Sequence, residues 1–338
     1  MKVLYCQEPN NFQLREEDIP SPAKGEALLK ITRIGICGTD IHAYHGNQPF
    51  FTYPRVLGHE LCGEIVELKE EQHHLKVGDR VTIIPYLHCG DCVACRNHKP
   101  NCCTNINVLG VHIDGGMKEY MTIPATHLLN VNKISPDSAA MVEPLSIGAH
   151  AVRRTNLGAG QTALVIGAGP IGLAVMRFAK LTGANVIAMD INYERLQFCK
   201  EWAKVDSIVT AGDNALAEIE KLTNGEFPTV VFDVTGNQTS MNQAIHFVSH
   251  GGQLVYVGLI KGDITFSDLE FHKREMSLLA SRNATLEDFH YVIDCIEKGF
   301  VDTDALISIR TKLSDLVNDF SDITNPKNKV IKALIELE

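Results

Sequence analysis

The chain has 338 residues, 45% of them hydrophobic, with 31 Lys and Arg against 41 Asp and Glu for a net charge of −10. This length predicts two domains rather than one core, and the hydrophobic share is the usual one for a soluble globular protein. The acidic balance excludes sequence-independent nucleic-acid binding as a main role, because that needs cations against phosphates, and no apolar run approaches the roughly 18 residues of a membrane span.

The chain opens MKVLYCQEPN, with neither a basic n-region nor an apolar h-region, so a cytoplasmic protein is expected. Residues 1–145 are dense in Gly, Pro, Cys and His, with apolar alternations at 27–34 and 63–68. Short strands and many turns follow, hence a β-rich, barrel-like unit. The stretch 143–153 reads as helical and carries the chain onward. From about 160 to 281, strand candidates at 162–166, 185–189, 207–209, 229–233, 254–257 and 277–280 alternate with helical stretches such as 171–182 and 193–204. Strands buried on both faces with helical crossovers predict a doubly wound parallel sheet. A helix at 286–298 and the strand-like VIKALIEL close the chain. The fold class is α/β.

Cys89, Cys92 and Cys95 are followed by Cys102 and Cys103. Four thiolates in one compact loop can close a tetrahedron around Zn²⁺ at about 2.3 Å, leaving no open position, so the site would be structural. Two disulfides or simple packing are the competing readings, and a reducing compartment disfavours the first. One of the adjacent pair Cys102 and Cys103 must be spare. Cys6, Cys62, Cys199 and Cys295 read as packing residues.

Gly167-Ala-Gly169-Pro170-Ile171-Gly172 follows the apolar run TALVI and opens a helix, and Asp190 stands 18 residues after Gly172. In that context GxGxxG predicts a dinucleotide site. Gly167 serves the tight turn, Gly169 the close approach of pyrophosphate and Gly172 helix packing, with the helix N-terminus facing the phosphates. Asp190 would bind both ribose hydroxyls and repel a 2′-phosphate, which favours NAD. Arg195 nearby can serve a 2′-phosphate, and a helix cap is the ordinary alternative for Asp190.

A second set of metal-ligand types lies in GICGTDIHAYHG, LGHELCGEI and MVEPLSIGAH. A catalytic zinc takes three protein ligands and an exchangeable site. Cys37, His59 and one carboxylate, Glu60 or Glu143, would supply them. Each residue alone has an ordinary reading as a packed thiol, a hydrogen-bonded imidazole or a surface acid.

CGTDIH, GHExxGEI, the cysteine loop and GAGPIGL, in that order along essentially the whole chain, resemble the zinc-containing medium-chain dehydrogenase family. Within it the chain is most similar to sugar-acid 5-dehydrogenases acting on L-galactonate or L-gulonate, on GNQPFFTYPRVLGHELCGEI, NVLGVHIDGG, FDVTGNQ, HGGQLVYVGLIKGDITFSDLEFHKRE and SRNATLEDF. The resemblance implies a GroES-like catalytic domain at 1–147 with a zinc lobe at 86–104. A Rossmann NAD-binding domain at 148–284 follows, and then a segment, 285–338, that returns to the first domain. It implies two zinc ions per chain, one catalytic and one structural, with NAD as cofactor.

Residue by residue, it implies that Cys37 and His59 bind the catalytic zinc, with Glu60 ligating directly or by exchange. Glu143 matches the acid of the polyol branch, where the alcohol branch has cysteine. Thr39 matches the hydroxyl that touches the reacting oxygen, and His42 the histidine that carries the proton to solvent. The structural lobe is matched by Cys89, Cys92, Cys95 and Cys103, which makes Cys102 the spare. Val257, Gly258 and Leu259 fall where the backbone meets the nicotinamide amide, and Thr235 joins the cofactor set. A sugar acid also needs a cation for its carboxylate. Arg282, just past the last strand, is the candidate, since a guanidinium fork can hold a carboxylate bidentately, and Asn283 can bind hydroxyls. The expectation is a zinc-dependent oxidoreductase passing hydride from a sugar-acid C5 hydroxyl to NAD in a dry cleft, with a polyol dehydrogenase and a non-catalytic NAD sensor as alternatives. A small-molecule substrate, no nucleic acid, no membrane and a homo-oligomer, dimer or tetramer, complete it.

Overall fold

The structure, a computed structural model, describes residues 1–48, 51–70, 75–325 and 328–337. Met1–Pro144 together with Thr285–Glu338 form one compact unit, and Leu145–Ala284 a second. The division falls inside the helix Val142–Arg153.

A seven-stranded sheet organises the first unit. Leu128–Asn130, Arg80–Ile83, Glu60–Leu68, Glu26–Gly35, Lys332–Glu336 and Ile307–Lys312 pair in that order, and Tyr120–Pro124 adds to Glu26–Gly35. The alternation at 27–34 is part of a ten-residue strand that is paired along both edges. Its side chains Leu29, Ile31 and Ile34 join Leu61 and Ile65 in a fully buried cluster, each contributing about 1.5–3 kcal/mol by burial. The final strand enters this sheet antiparallel to Glu26–Gly35, with Leu334 opposite Gly35 and Ile335 opposite Ile34. The last residues of the chain therefore lie beside the strand that leads into Cys37.

In the second unit six strands run parallel in the order Ser207–Thr210, Asn185–Asp190, Thr162–Ile166, Val230–Asp233, Gln253–Tyr256 and Ser277–Ala280. All six expected strands are present, with bounds moved by at most one residue. The order reverses beside Thr162–Ile166, which in a doubly wound sheet is where a nucleotide binds. Leu164, Ile166, Ile187, Val231 and Leu254 fill one side of the sheet. The helix expected at 193–204 is divided: Tyr193–Phe198 is α-helical, Cys199–Ala203 widens to a π-turn, and Lys204 ends it at φ 61°. A β-rich unit and a parallel α/β unit thus make up the α/β fold. Among the described residues no helix is long and apolar enough to cross a membrane.

Candidate active site

Cys37 follows the long strand Glu26–Gly35 and caps the N-terminus of the helix Gly38–Tyr44. His59 directly precedes the strand Glu60–Leu68, and Glu143 is the second residue of the helix Val142–Arg153. Long-range folding brings three of the four candidates together: ligand atoms of Cys37, His59 and Glu60 all lie within 4.8 Å of one another, and Glu143 lies outside that group. Cys37 is half-buried, while His59, Glu60 and Glu143 are 5%, 0% and 1% exposed.

Asp40, fully buried, ties these segments together. One carboxylate oxygen accepts the Cys37 N–H at 2.9 Å and the other the Gly58 N–H at 3.1 Å. That second oxygen also lies 3.9 Å from His59 Nδ1, beyond hydrogen-bond reach. Both carboxylate oxygens of Glu60 are held by Lys332 Nζ, at 2.6 and 2.7 Å. The Tyr86 hydroxyl donates to Glu143 Oε1, whereas Glu143 Oε2 is buried and has no hydrogen-bond partner among the described residues. A thiol, an imidazole and a carboxylate gathered in one buried group, with His59 Nδ1 and Glu143 Oε2 buried without hydrogen-bond partners among the described residues, is the kind of donor set that a divalent cation satisfies. The residues present fit zinc.

The electrostatics agree. Burial pushes the Glu143 carboxyl up to about 7. Burial draws His59 down, but Cys37, Asp40 and Glu143 more than offset it and leave the imidazole well above its ordinary range. Without a metal the pocket thus retains protons to offset its own negative charge. Thr39 and His42 stand three residues apart on the helix Gly38–Tyr44, hence on one face. Thr39 is half-buried and His42 exposed, so the pair runs from interior to solvent.

Cys89, Cys92, Cys95 and Cys103 also converge, with their sulfur atoms within 4.8 Å of one another. The Cys103–Cys89 and Cys92–Cys95 pairs are 3.4 and 3.5 Å apart, close to the roughly 3.8 Å edge of a tetrahedron with 2.3 Å Zn–S bonds. The Cys95 backbone N–H, with that of Thr104, holds Cys92 down to about 5. Cys102 is exposed and outside the group. A structural zinc fits here.

In the second unit, Gly167 adopts φ +109°, and a Cβ on Gly172 would lie 1.9 Å from the Gly167 carbonyl. A Cβ on Gly169, the N-cap of Pro170–Leu181, would point into open space, which leaves a cradle for phosphate at a helix N-terminus. Ile171 lies in the first turn. Asp190 ends its strand and accepts the N–H of Ala168 at 2.6 Å and of Asn192 at 2.8 Å. The cap of the following helix is Asn192, not Asp190, and Arg195 is exposed. Thr235 donates to Asp233, whose backbone carbonyl accepts the N–H groups of Val257 and Gly258. Leu259 is 71% exposed. Arg282 is exposed two residues past the last strand, and Asn283 is half-buried at φ 53°.

The profile of the alcohol dehydrogenase GroES-like domain matches residues 23–133, and that of the zinc-binding dehydrogenases matches residues 170–298. An Escherichia coli K12 protein, L-galactonate-5-dehydrogenase, is 43% identical over 99% of this chain and 98% of its own. The chain belongs to the zinc-binding alcohol dehydrogenase family. Another relative, 2-dehydro-3-deoxy-L-galactonate 5-dehydrogenase of Pseudoalteromonas atlantica, is 30% identical over 96% of both chains. The crystal structure of an Escherichia coli CFT073 alcohol dehydrogenase (rspB) complexed with NADH superimposes with a TM-score of 0.93, at 31% identity, covering 100% of this chain and 99% of that one.

Three residues of this zinc-binding dehydrogenase went unread in the sequence. Asp40 belongs to the metal-ligand types of GICGTDIHAYHG without a role of its own, Tyr86 carries no signal, and Lys332 reads only as part of the strand-like VIKALIEL. The signal for Lys332 was present: a lone lysine in an apolar strand, which burial on both faces forces to find an anion.

Proposed function

We propose that the protein is a zinc- and NAD-dependent dehydrogenase that oxidises the C5 hydroxyl of a sugar acid, L-galactonate or L-gulonate, to a ketouronate. The observation that carries this is the group of half-buried Cys37 with buried His59 and Glu60, with Glu143 acting on His59, in a chain 43% identical along nearly all its length to an L-galactonate-5-dehydrogenase. Cys37, His59 and an acid would hold zinc, which when bound supplies a Lewis acid that makes a secondary hydroxyl acidic. NAD supplies the hydride acceptor, so that alcohol and NAD⁺ become ketone, NADH and a proton.

The chain's own residues do the rest. Thr39 takes the hydroxyl proton, and His42, exposed one turn further on, passes it to solvent. Gly167, Gly169, Pro170, Ile171 and Gly172 seat the pyrophosphate. Asp190 accepts from the ribose hydroxyls and repels a 2′-phosphate. Thr235, Val257, Gly258 and Leu259 meet the nicotinamide. Arg282 holds the substrate carboxylate and Asn283 a hydroxyl; their place past the end of a parallel strand supports this. A four-thiolate zinc lobe requires reduced cysteines, which supports a cytoplasmic enzyme, and the family resemblance supports a homo-oligomer.

The test is a panel of hexonates and hexitols with NAD⁺. L-Galactonate or L-gulonate should exceed sorbitol and galactitol by at least about a hundredfold in kcat/KM, because a site built to pair a carboxylate penalises its loss. A hexitol oxidised as well or better would overturn the assignment.

A further inference from the structure

We propose that Lys332 is a positioning residue that keeps Glu60 off the catalytic metal, so that Glu143 supplies the third protein ligand; this rests on the zinc reading above. Lys332 and Glu60 are 3% and 0% exposed. An ammonium has three N–H donors, and Lys332 has three acceptors: both Glu60 oxygens, at 2.6 and 2.7 Å, and the Ile36 carbonyl at 3.1 Å. The chain also leaves room for Glu60 to lie this way. A Cβ on Gly35 would sit 2.0 Å from Glu60 Oε2, so only glycine is compatible with that carboxylate position.

Proximity and hydrogen bonding point to different acids. By distance, Glu60 groups with Cys37 and His59. By hydrogen bonding, Glu60 is fully engaged, whereas Glu143 has one oxygen on Tyr86 and the other buried with no partner among the described residues. If Glu60 turned to the metal it would leave a buried ammonium uncompensated, and if it bridged the two it would set that ammonium against a dication at short range. Glu143 meets neither obstacle. Lys332 reaches the site only because the final strand docks against Glu26–Gly35, so the selection is made by the far end of the chain.

The test compares wild type, Glu60→Gln, Glu143→Gln, Lys332→Met and the double variant Glu143→Gln/Lys332→Met. Zinc is counted by mass spectrometry after dialysis against a competing chelator, and the visible spectrum is read after cobalt substitution. Glu143→Gln should weaken retention of one metal by about ten- to a hundredfold, and by more than Glu60→Gln does. In the double variant the freed Glu60 should restore at least about tenfold, with an altered cobalt spectrum. Equal or greater metal loss in Glu60→Gln, or no gain in the double variant, overturns the proposal. If the Lys332 variants fail to fold, Glu143→Gln decides alone: full retention of both zinc ions in that variant overturns the proposal. A wild type that holds one zinc rather than two would instead defeat the catalytic-zinc reading, so the two failures are distinct.

Discussion

The hydroxyl of Tyr86 donates to Oε1 of Glu143, and both side chains are buried, 4% and 1% exposed. Tyr86→Phe keeps the ring, which packs edge-on against Phe289 with centroids 6.3 Å apart, but leaves a buried oxygen without a donor. That loss costs about 1–3 kcal/mol, and a loosened ligand should lower kcat about tenfold. Thermal unfolding of chelator-treated protein and steady-state rates of the zinc-loaded enzyme check the two parts. Unchanged values in both would show that Tyr86 does not hold Glu143.

A pH dependence follows for the metal-free protein. Burial lifts Glu143 from 4.5 to about 7, so between those values the folded state keeps a proton that the unfolded chain has released. Stability then falls as pH rises through that window. His59, held above its ordinary 6.5, acts in the same direction: its contribution is complete below 6.5 and is lost as pH rises through the raised value. Zinc reverses the preference, because its ligands must be deprotonated. With chelator present, the Tm of wild type relative to Glu143→Gln should fall between about pH 5 and about pH 8. A constant difference would refute the assignment of that titration to Glu143.

At the cysteine lobe, Cys92→Ser should remove about one zinc per chain and lower Tm, whereas Cys102→Ser should change neither. Cys102 lies outside the four-sulfur group and is exposed. Metal analysis of the two purified variants suffices. Equal zinc in both would exclude the lobe as a metal site.

Asp190→Ala should narrow the preference for NAD⁺ over NADP⁺ by at least about tenfold. It should also raise KM for NAD⁺, since the carboxylate holds the N–H groups of Ala168 and Asn192 and so shapes the glycine loop. Fluorescence titration with NADH and NADPH separates these effects. An unaltered ratio would remove the basis for NAD selection.

Loss of the exposed His42 should be felt in proton transfer and not in binding. His42→Ala should lower kcat about a hundredfold near neutral pH while leaving NADH affinity unchanged, with partial recovery on adding imidazole. If imidazole restores nothing and NADH affinity falls, His42 is structural.

Most of the second unit could be read from the chain because its signals are local. Each parallel strand is a contiguous apolar run between turns, and the glycine loop states its own geometry. The π-turn at Cys199–Ala203 could not be read, because one extra residue in a helical turn leaves the apolar period nearly intact. In the first unit, Cys37, His59, Glu60 and Glu143 could be named as candidates from residue type and resemblance. What fixes them could not: Asp40 binds Gly58, Tyr86 reaches Glu143, and Lys332 reaches Glu60 across 272 positions of sequence. Such pairings exist only once distant strands meet, and no local pattern encodes them. The choice between Cys102 and Cys103 is of the same kind, settled in space by which sulfur lies near the other three.

The discontinuous first unit sets an order on biosynthesis. Residues 145–284 are complete before Thr285 is added, so the second unit can close while the ribosome is still at work. The first unit cannot: its central strand Glu26–Gly35 lacks a neighbour along part of one edge until Lys332–Glu336 is made. Until then Glu60 lacks the ammonium that holds both its oxygens. A chain without Lys332–Glu336 would keep the residues of the second unit whole and leave the Glu60 carboxylate without its lysine partner.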